Sequence, residues 1–315
     1  MTLKNKFRED IHFQVSVIMP VYKAEKFIKK AVLSAAELKE VGEIILIEDG
    51  SPDNSLNICE ELAKEFKKVK LLRHINGDNK GAAASRNLGI QKASFNYIAF
   101  LDADDWYLPN RFLKDKNIFN HYPDAHAAYS SSILEENSKN NELRDGAKED
   151  IRKRLGHNIT SKSFYKNMLL GRNDLFNTNT VTIKKSFLQD MKLFDVRLRL
   201  HQDTELWRRL IRIGNFYASE VKSPVAVIRR HEGNRITSRD TNSQLKMHRV
   251  FIENVGVQNL YDFEKVNLLK KIIRLKSIRI KSKWQRRLYY YSILYFTSFH
   301  KEKFLNNFHK NIISD

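Results

Sequence analysis

The sequence predicts an α/β protein: a mostly parallel sheet flanked by helices, followed by a helical C-terminal extension. Three observations carry that expectation. Short β-branched runs alternate with stretches of helical periodicity through the first hundred residues, and the connections between them are short. The first, second and fourth strand-like runs stop at turn-forming or acidic residues. Beyond about residue 244 the strand-like runs cease and the helical period continues to the end.

The elements follow in order. Residues 15–19 (VSVIM) are rich in β-formers and are expected to stop at Pro20. Residues 24–37 place Phe27, Ile28, Ala31, Val32 and Ala35 at helical spacing. A second strand is expected over 43–47 (EIILI), ended by the turn-forming run 49–55 (DGSPDNS). Leu56, Cys59, Leu62, Ala63 and Phe66 share one face of a second helix. Residues 69–72 read as a third strand, 81–92 as a third helix and 97–101 as a fourth strand. The middle is less regular. A strand is expected within 125–132, a polar loop over 135–153, helices over 164–170, 185–190 and 203–213, and short strands at 180–183 and 225–228. In parallel sheets of this kind ligands bind at the carboxyl ends of the strands, so the polar residues just after each strand are the ones of interest.

Composition narrows the classes. The 315 residues carry 56 Lys+Arg against 37 Asp+Glu, a formal net charge of +19, and 42% are hydrophobic. That apolar content excludes a wholly disordered chain. Eleven Gly and five Pro exclude collagen-like and low-complexity classes. A single cysteine, Cys59, excludes an internal disulfide and an oxidised secreted scaffold. Residues 1–14, an N-terminal extension, are charged and show no signal-peptide pattern. The longest apolar-leaning run, 288–299, is shorter than the roughly 20 residues that span a bilayer. The expected location is cytoplasmic, with a peripheral position at the inner face of the cytoplasmic membrane open through the C-terminal charge. Residues 265–315 hold 13 Lys+Arg and 2 Asp+Glu, so +11 of the +19 lies there. Trp284, Leu288, Tyr291, Tyr295 and Phe299 fall at helical spacing in that segment. A basic helix with an aromatic face suits an anionic membrane surface. The alternative is that the apolar positions, Ile272, Ile273 and Leu275 foremost, pack on the rest of the chain or in a homodimer.

The strongest chemical signal is residues 100–106 (FLDADDW) at the end of the fourth strand. In extended backbone Asp102 and Asp104 point to the same side. Three carboxylates at a strand end repel one another unless a cation or hydrogen-bond donors compensate them. Hard oxygen ligands in that pattern suit Mg²⁺ or Mn²⁺ completed by phosphate oxygens of a substrate. The plainer alternative is an acidic helix cap, since Asp105 lies shortly before Pro109. The second strand also ends in carboxylates, Glu48 and Asp49. Residues 80–89 (KGAAASRNLG) combine small residues, which let backbone approach a ligand, with Arg86, which could meet a phosphate or form a surface ion pair. No Walker-type phosphate loop and no G-x-G-x-x-G occurs.

Taken together, residues 15–22 (VSVIMPVY), 44–51 (IILIEDGS), 80–87 (KGAAASRN) and 100–106 (FLDADDW) resemble glycosyltransferase family 2 in order and spacing. The resemblance implies a GT-A (Rossmann-like) fold over residues 15–240, with 15–105 as the nucleotide-binding half, 106–240 as the acceptor half, and 241–315 as a basic, aromatic-rich helical region. It also implies a nucleotide-sugar donor, with UDP as the expected nucleotide, a divalent cation (Mn²⁺ or Mg²⁺), and inversion at the anomeric carbon. Asp49 inherits contact with the base or ribose, and Pro20, Val21 and Tyr22 line the nucleotide, with Glu25, Lys80, Arg86 and Ala103 in the same donor-binding set. Asp102 and Asp104 map to the D-x-D element, Asp104 as the more direct metal ligand. Residues 200–210 (LHQDTELWRRL) resemble the later acidic motif, with Gln202 where glutamate is common. Asp203 therefore takes the match as general base, with Glu205 as a fallback. An N-cap role for Asp203 is the structural alternative. Residues 229–238 (RRHEGNRITS) resemble a segment whose histidine can meet metal or diphosphate, which makes His231 a possible third ligand. The other histidines carry no metal-ligand spacing.

The activity so implied is hexosyl or N-acetylhexosaminyl transfer to the hydroxyl of a glycan or lipid-linked glycan acceptor, as in bacterial surface polysaccharide or lipo-oligosaccharide synthesis. Two other classes compete. A nucleotidyltransferase-like enzyme shares the nucleotide and metal needs, but would carry a Gly-rich basic loop where Pro20, Val21 and Tyr22 stand. A nucleic-acid-binding protein fits the net charge, yet carboxylate-rich strand ends repel phosphate.

Overall fold

The computed structural model describes residues 13–135, 161–172, 175–229, 240–278 and 280–310. The first half alternates as the periodicity predicts: β1 (Val15–Val21), α1 (Ile28–Ala36), β2 (Val41–Glu48), α2 (Ser55–Glu65), β3 (Val69–Arg73), α3 (Ala82–Lys92) and β4 (Tyr97–Phe100). There follow β5 (Trp106–Tyr107), α4 (Asp115–His121), β6 (Ala127–Tyr129), β7 (Ser132–Glu135) and α5 (Ser161–Leu169). Then come β8 (Val181–Lys184), α6 (Lys185–Gln189), α7 (Gln202–Ile213), β9 (Phe216–Ala218) and β10 (Ala226–Arg229). The C-terminal helices are α8 (Thr241–Val255), α9 (Asp262–Ser277), α10 (Lys283–Ser298) and α11 (Lys301–Lys310).

Seven strands form one sheet in the order β3-β2-β1-β4-β8-β6-β9. β8 runs antiparallel to both its neighbours, and the remaining pairs are parallel. The sheet is therefore continuous across residue 105, with strands from both sides of it. A small second sheet, β5-β10-β7, stands beside it. The single strand expected within 125–132 is divided: β6 joins the large sheet and β7 the small one. β1 also differs from expectation, because it runs through Pro20 to Val21. Pairing with β4 stops at Ile18 and Phe100, so the missing N–H of Pro20 falls where that ladder has already ended. On the other edge β1 stays paired with β2 as far as Val21 and Glu48.

Alternation along the central strands builds two cores. Val15, Val17 and Met19 pack with Ile28, Val32, Cys59 and Leu62 on one face. Ile18, Ile45, Ile98 and Phe100 pack with Ile90, Leu206, Trp207 and Leu210 on the other. Gly89 lets α3 lie close to the sheet, since a Cβ there would stand 2.4 Å from Ile18 Cγ2. The C-terminal helices hold a third cluster that includes Phe251, Leu268, Ile272, Leu305 and Phe308. Ile272 and Ile273 are thus core positions. Trp284, Leu288, Tyr291, Tyr295 and Phe299 are all more than half exposed along α10. Among the described residues no helix is long and apolar enough to cross a membrane.

A buried cation ties β8 to the loop after β5. Arg111 donates from Nε to Asn179 O (3.0 Å), from Nη2 to Val181 O (2.9 Å) and from Nη1 to Asp115 Oδ2 (2.9 Å). Thr182 Oγ1 donates to the same carboxylate oxygen at 2.6 Å. Breaking one half of a buried pair leaves the other charge uncompensated, at a cost of about 3–5 kcal/mol. Arg111→Ala should therefore lower unfolding free energy by about that amount in a denaturant titration. A loss below about 1 kcal/mol, the range of exposed pairs, would contradict this anchoring role.

Candidate active site

The carboxyl ends of β1, β2, β3 and β4 lie side by side, and the polar residues that follow them meet there. Asp49 follows β2 and is buried. Its Oδ1 accepts from Lys80 N at 2.7 Å and its Oδ2 from Gly81 N at 2.9 Å. Asn79 Nδ2 donates to Asp49 O at 2.8 Å, and Asp49 N donates to Val21 O at 2.9 Å. The carboxylate thus joins the β1 and β2 ends to the start of α3. Gly50 takes φ +69, and a Cβ there would meet Gly77 O at 2.6 Å, so the chain can turn away from Asp49 only with glycine.

The loop after β1 is clasped to the loop after β2. Lys23 N donates to Ser51 Oγ, Ala24 N to Ser55 Oγ, and Glu25 N to Asp53 Oδ2. Glu25 Oε2 accepts from Asn54 N at 3.0 Å in return, so Glu25 serves as a clasp between the loops. Tyr22 stands half-buried beside them, Val21 is buried and Pro20 partly so. Lys80 turns its ammonium outward to Asp78 (2.9 Å) and contributes its backbone N–H to Asp49.

Beyond β4 the acidic run is held by β8 residues. Asn179 Oδ1 accepts from Asp102 N at 3.0 Å, and its Nδ2 donates to Asp105 Oδ2 at 2.5 Å. Arg229 N donates to Asp105 Oδ1 at 2.8 Å. Asp105 is therefore a buried strut between β4, β8 and β10, and no helix cap. Burial first, then the charges of Asp102 and Asp104, push its carboxyl up to about 8. Asp102 and Asp104 are partly exposed, while Ala103 between them is buried. Arg86 is buried too, and its Nη2 donates to Asp102 Oδ1 at 2.6 Å. Sequence left Arg86 open between phosphate contact and surface ion pair. The structure makes it a buried partner of the acidic run.

The start of α7 approaches this cluster from the far side. Trp207 Nε1 donates to Thr178 Oγ1 at 3.1 Å, next to Asn179. Asp203 lies one turn earlier, four residues from Trp207 and on the same helix face. With its amide oriented to suit both neighbours, Gln202 accepts from Arg86 Nη1 and donates to Arg199 O, each at 3.3 Å. The N-cap position belongs to His201, in a left-handed conformation (φ 63), and Asp203 lies within the first turn. Its Oδ1 accepts from Thr204 N at 2.6 Å, and the carboxylate is partly exposed. Glu205 is buried and bound by Arg209 Nε (2.6 Å) and Asn254 Nδ2 (2.9 Å), which makes it a structural group. His231 lies outside the described residues, as do 136–153 of the expected polar loop.

Two residues of the site escaped the sequence reading. His74 Nε2 lies 3.5 Å from Asp49 Oδ1 and 3.0 Å from Ser85 Oγ. Asn179 organises the acidic run, yet its sequence setting (residues 177–180, NTNT) carries no chemical signature. A signal for either would be spatial, through its carboxylate neighbours.

The residues present fit a hard divalent cation. Asp102 and Asp104 offer carboxylate oxygens at the surface, the hard donors that such a cation takes. Among the described residues no group of three or more His, Cys, Asp or Glu side chains is arranged to hold a metal.

Comparison with known proteins gives these arrangements a context. Residues 16–191, more than half of the chain, match the family model described as Glycosyl transferase family 2. The chain is 39% identical over 126 residues to an uncharacterized glycosyltransferase of Haemophilus influenzae, covering 39% of this chain and 50% of that protein. It is 39% identical over 94 residues to the uncharacterized glycosyltransferase EpsJ of Bacillus subtilis, covering 29% of this chain and 26% of EpsJ. The chain thus spans half or less of the length of these relatives. Among solved structures it is similar to S. aureus TarS, with a TM-score of 0.62, 14% identity, and coverage of 86% of this chain and 46% of that one. It is also similar to TarS 1–349 in complex with UDP, with a TM-score of 0.59, 14% identity and coverage of 94% and 89%. At such identities the likeness shows a shared GT-A-like fold.

The Asp49 contacts have a local consequence. Hydrogen bonds to a charged acceptor contribute about 1.5–3 kcal/mol each. Asp49→Ala should raise amide exchange at Lys80 and Gly81 by about ten-fold or more. Unchanged protection at both amides would remove Asp49 as the organiser of that loop.

Proposed function

The chain belongs to glycosyl transferase family 2, and on that premise we propose that it transfers a sugar from a nucleotide-sugar, UDP-linked, to an acceptor hydroxyl with inversion. The observation that carries this reading is the placing of Asp49 after β2 and of Asp102 and Asp104 after β4, the two parallel strands that flank β1, with the start of α7 joined to Asp102 through Arg86. A solved TarS complex holds UDP and another UDP-GlcNAc, which supports the choice of a UDP-sugar donor. Asp49 takes the nucleoside, beside Tyr22 and the backbone of residues 20–22. Asp102 and Asp104 would hold a Mn²⁺ or Mg²⁺ ion, with Asp104 the more direct ligand by the family's D-x-D pattern. When bound, that ion supplies positive charge where negative charge develops on the departing diphosphate.

Asp203 acts as the base. It is partly exposed, it begins a helix docked beside the acidic run, and Glu205 is held in buried bonds. An inverting displacement needs one carboxylate to take the acceptor proton, opposite the leaving group. No covalent sugar–enzyme intermediate arises, in contrast to the retaining two-carboxylate route. The setting we assign is bacterial surface-glycan assembly, with hexosyl or N-acetylhexosaminyl transfer as the reaction.

The mutants separate the roles. Asp203→Asn should lower turnover by about a hundred-fold or more while UDP still raises the melting temperature. Near-normal turnover in that variant would assign the proton to another group. Asp104→Ala should remove the Mn²⁺-dependent part of the UDP-induced shift. In the wild-type protein UDP with Mn²⁺ should stabilise more than ATP or duplex DNA does. A larger shift with ATP would favour a nucleotidyltransferase, and one with DNA a nucleic-acid-binding protein.

The exposed aromatic face of α10 supports a second part of the proposal, attachment to an anionic bilayer surface. Lys281, Lys283, Arg286 and Arg287 accompany Trp284, Leu288 and Tyr291 there. Vesicles of phosphatidylglycerol should sediment the protein and phosphatidylcholine vesicles should not. Trp284→Ser combined with Tyr291→Ser should reduce that binding about ten-fold or more. Retention of full binding would exclude this face.

A further inference from the structure

Beside the first half of α7 lies a half-open cavity of about 530 Å³, walled by α5, α7, α8 and α9. Its polar lining is basic: Arg208 from α7, His248 from α8, and Lys271 and Arg274 from α9. Met168, Leu169, Met247 and Leu275 supply apolar wall. Thr204 and His201 reach it as well, on either side of Asp203 in the chain.

Arg208 sets the chemistry. It is only 4% exposed, and its Nε and Nη2 have no hydrogen-bond partner among the described residues. Nη1 meets Met247 Sδ and, at 3.3 Å, His248 Nδ1, and the guanidinium lies over the Phe251 ring, 4.3 Å from its centre. The two carboxylates nearby are already bound, Glu205 by Arg209 and Glu264 by Arg212. Burial pushes the Arg208 guanidinium down even though Tyr165, Glu264 and Glu205 act in its favour, so an anion arriving in the cavity offsets a cost that is only partly met.

The neighbours favour the same ligand. Burial and Arg208 together push the Lys271 ammonium down to about 8, a displacement that a bound anion would reverse. Burial keeps His248 neutral, with Nδ1 accepting from Arg208 and Nε2 carrying the proton. Arg208, Lys271 and Arg274 bring more positive charge than one carboxylate would need, and a phosphate ester can use it. The apolar walls accept the organic part of such an ester.

We propose that this cavity binds the phosphate of an amphiphilic organic phosphate, held by Lys271 and Arg274 with the Arg208 guanidinium in the wall behind them. Because Thr204 and His201 flank Asp203, the ligand is the acceptor, or the part of it that anchors it beside the base. Its role as acceptor rests on the glycosyl-transfer reading, whereas phosphate binding stands on the cavity alone.

Isothermal titration of the full chain with farnesyl phosphate, farnesol and inorganic phosphate tests this, with UDP plus Mn²⁺ titrated in parallel. Farnesyl phosphate should bind saturably, with farnesol and inorganic phosphate each weaker by about ten-fold or more. Arg208→Met and, from a different helix, Lys271→Met should each weaken farnesyl phosphate by about ten-fold or more and leave UDP binding unchanged. Two variants are needed because Arg208 is buried. An unaltered melting temperature for either one keeps its result interpretable. Absence of farnesyl phosphate binding in a protein that binds UDP would overturn the cavity assignment and leave the donor reading intact. Equal binding of farnesol would overturn the phosphate's part, and equal binding of inorganic phosphate the amphiphile's. Loss of UDP binding with farnesyl phosphate binding retained would instead count against the glycosyl-transfer reading.

Discussion

The buried guanidinium of Arg111 is the constraint on which the site depends. Its three donor groups reach two carbonyls of the β8 segment and the carboxylate of Asp115. They bring the bend at Asn179 against the end of β4. Asn179 then uses both ends of its amide, one on the Asp102 backbone and one on the Asp105 side chain. Trp207 docks on the adjoining Thr178 and so carries the start of α7 to the same place. One cation inside the protein therefore sets the relation between the acidic run and the helix that bears Asp203.

Electrostatics at the site runs against the chain as a whole. A protein of net charge +19 places buried or half-buried carboxylates at the ends of its central strands. They persist because each is compensated locally. Asp49 is bound by two backbone N–H groups, Asp102 by Arg86, and Asp105 by Asn179 and a backbone amide. The positive excess collects elsewhere, in α9 and α10. There it divides into an outer face of Lys and Arg beside exposed aromatics, and the wall of an inner cavity where Lys271 lies partly desolvated beside the buried Arg208 of α7.

Much of this was legible in the residues, and the gaps have physical causes. Period-two and period-3.6 patterns located β1 to β4 and α1 to α3, because each buries one face and the sequence must repeat accordingly. Strand ends announced themselves through Asp49 and residues 102–105. The two-residue β5 and three-residue β9 were not legible, since elements that short carry no period. β7 was hidden for another reason: it begins at Ser132, where the expected strand ended, and runs to Glu135, where a polar loop was expected, so only its first residue fell in an expected strand. Pro20 misled in the opposite direction, because a strand tolerates proline where a ladder has already ended.

By itself the sequence determined the alternation of strands and helices, the placing of acidic residues after β2 and β4, and the concentration of charge in the last fifty or so residues. All of these are local, carried by neighbours along the chain. Only the tertiary structure decided that Arg86 belongs to Asp102, that Glu25 clasps two loops, that Glu205 is locked to Arg209, and that Asn179 and His74 belong at the site at all. Hydrogen bonds and ion pairs between residues up to about a hundred positions apart leave no periodicity behind. Their energies come from burial, and burial is a property of the packed chain.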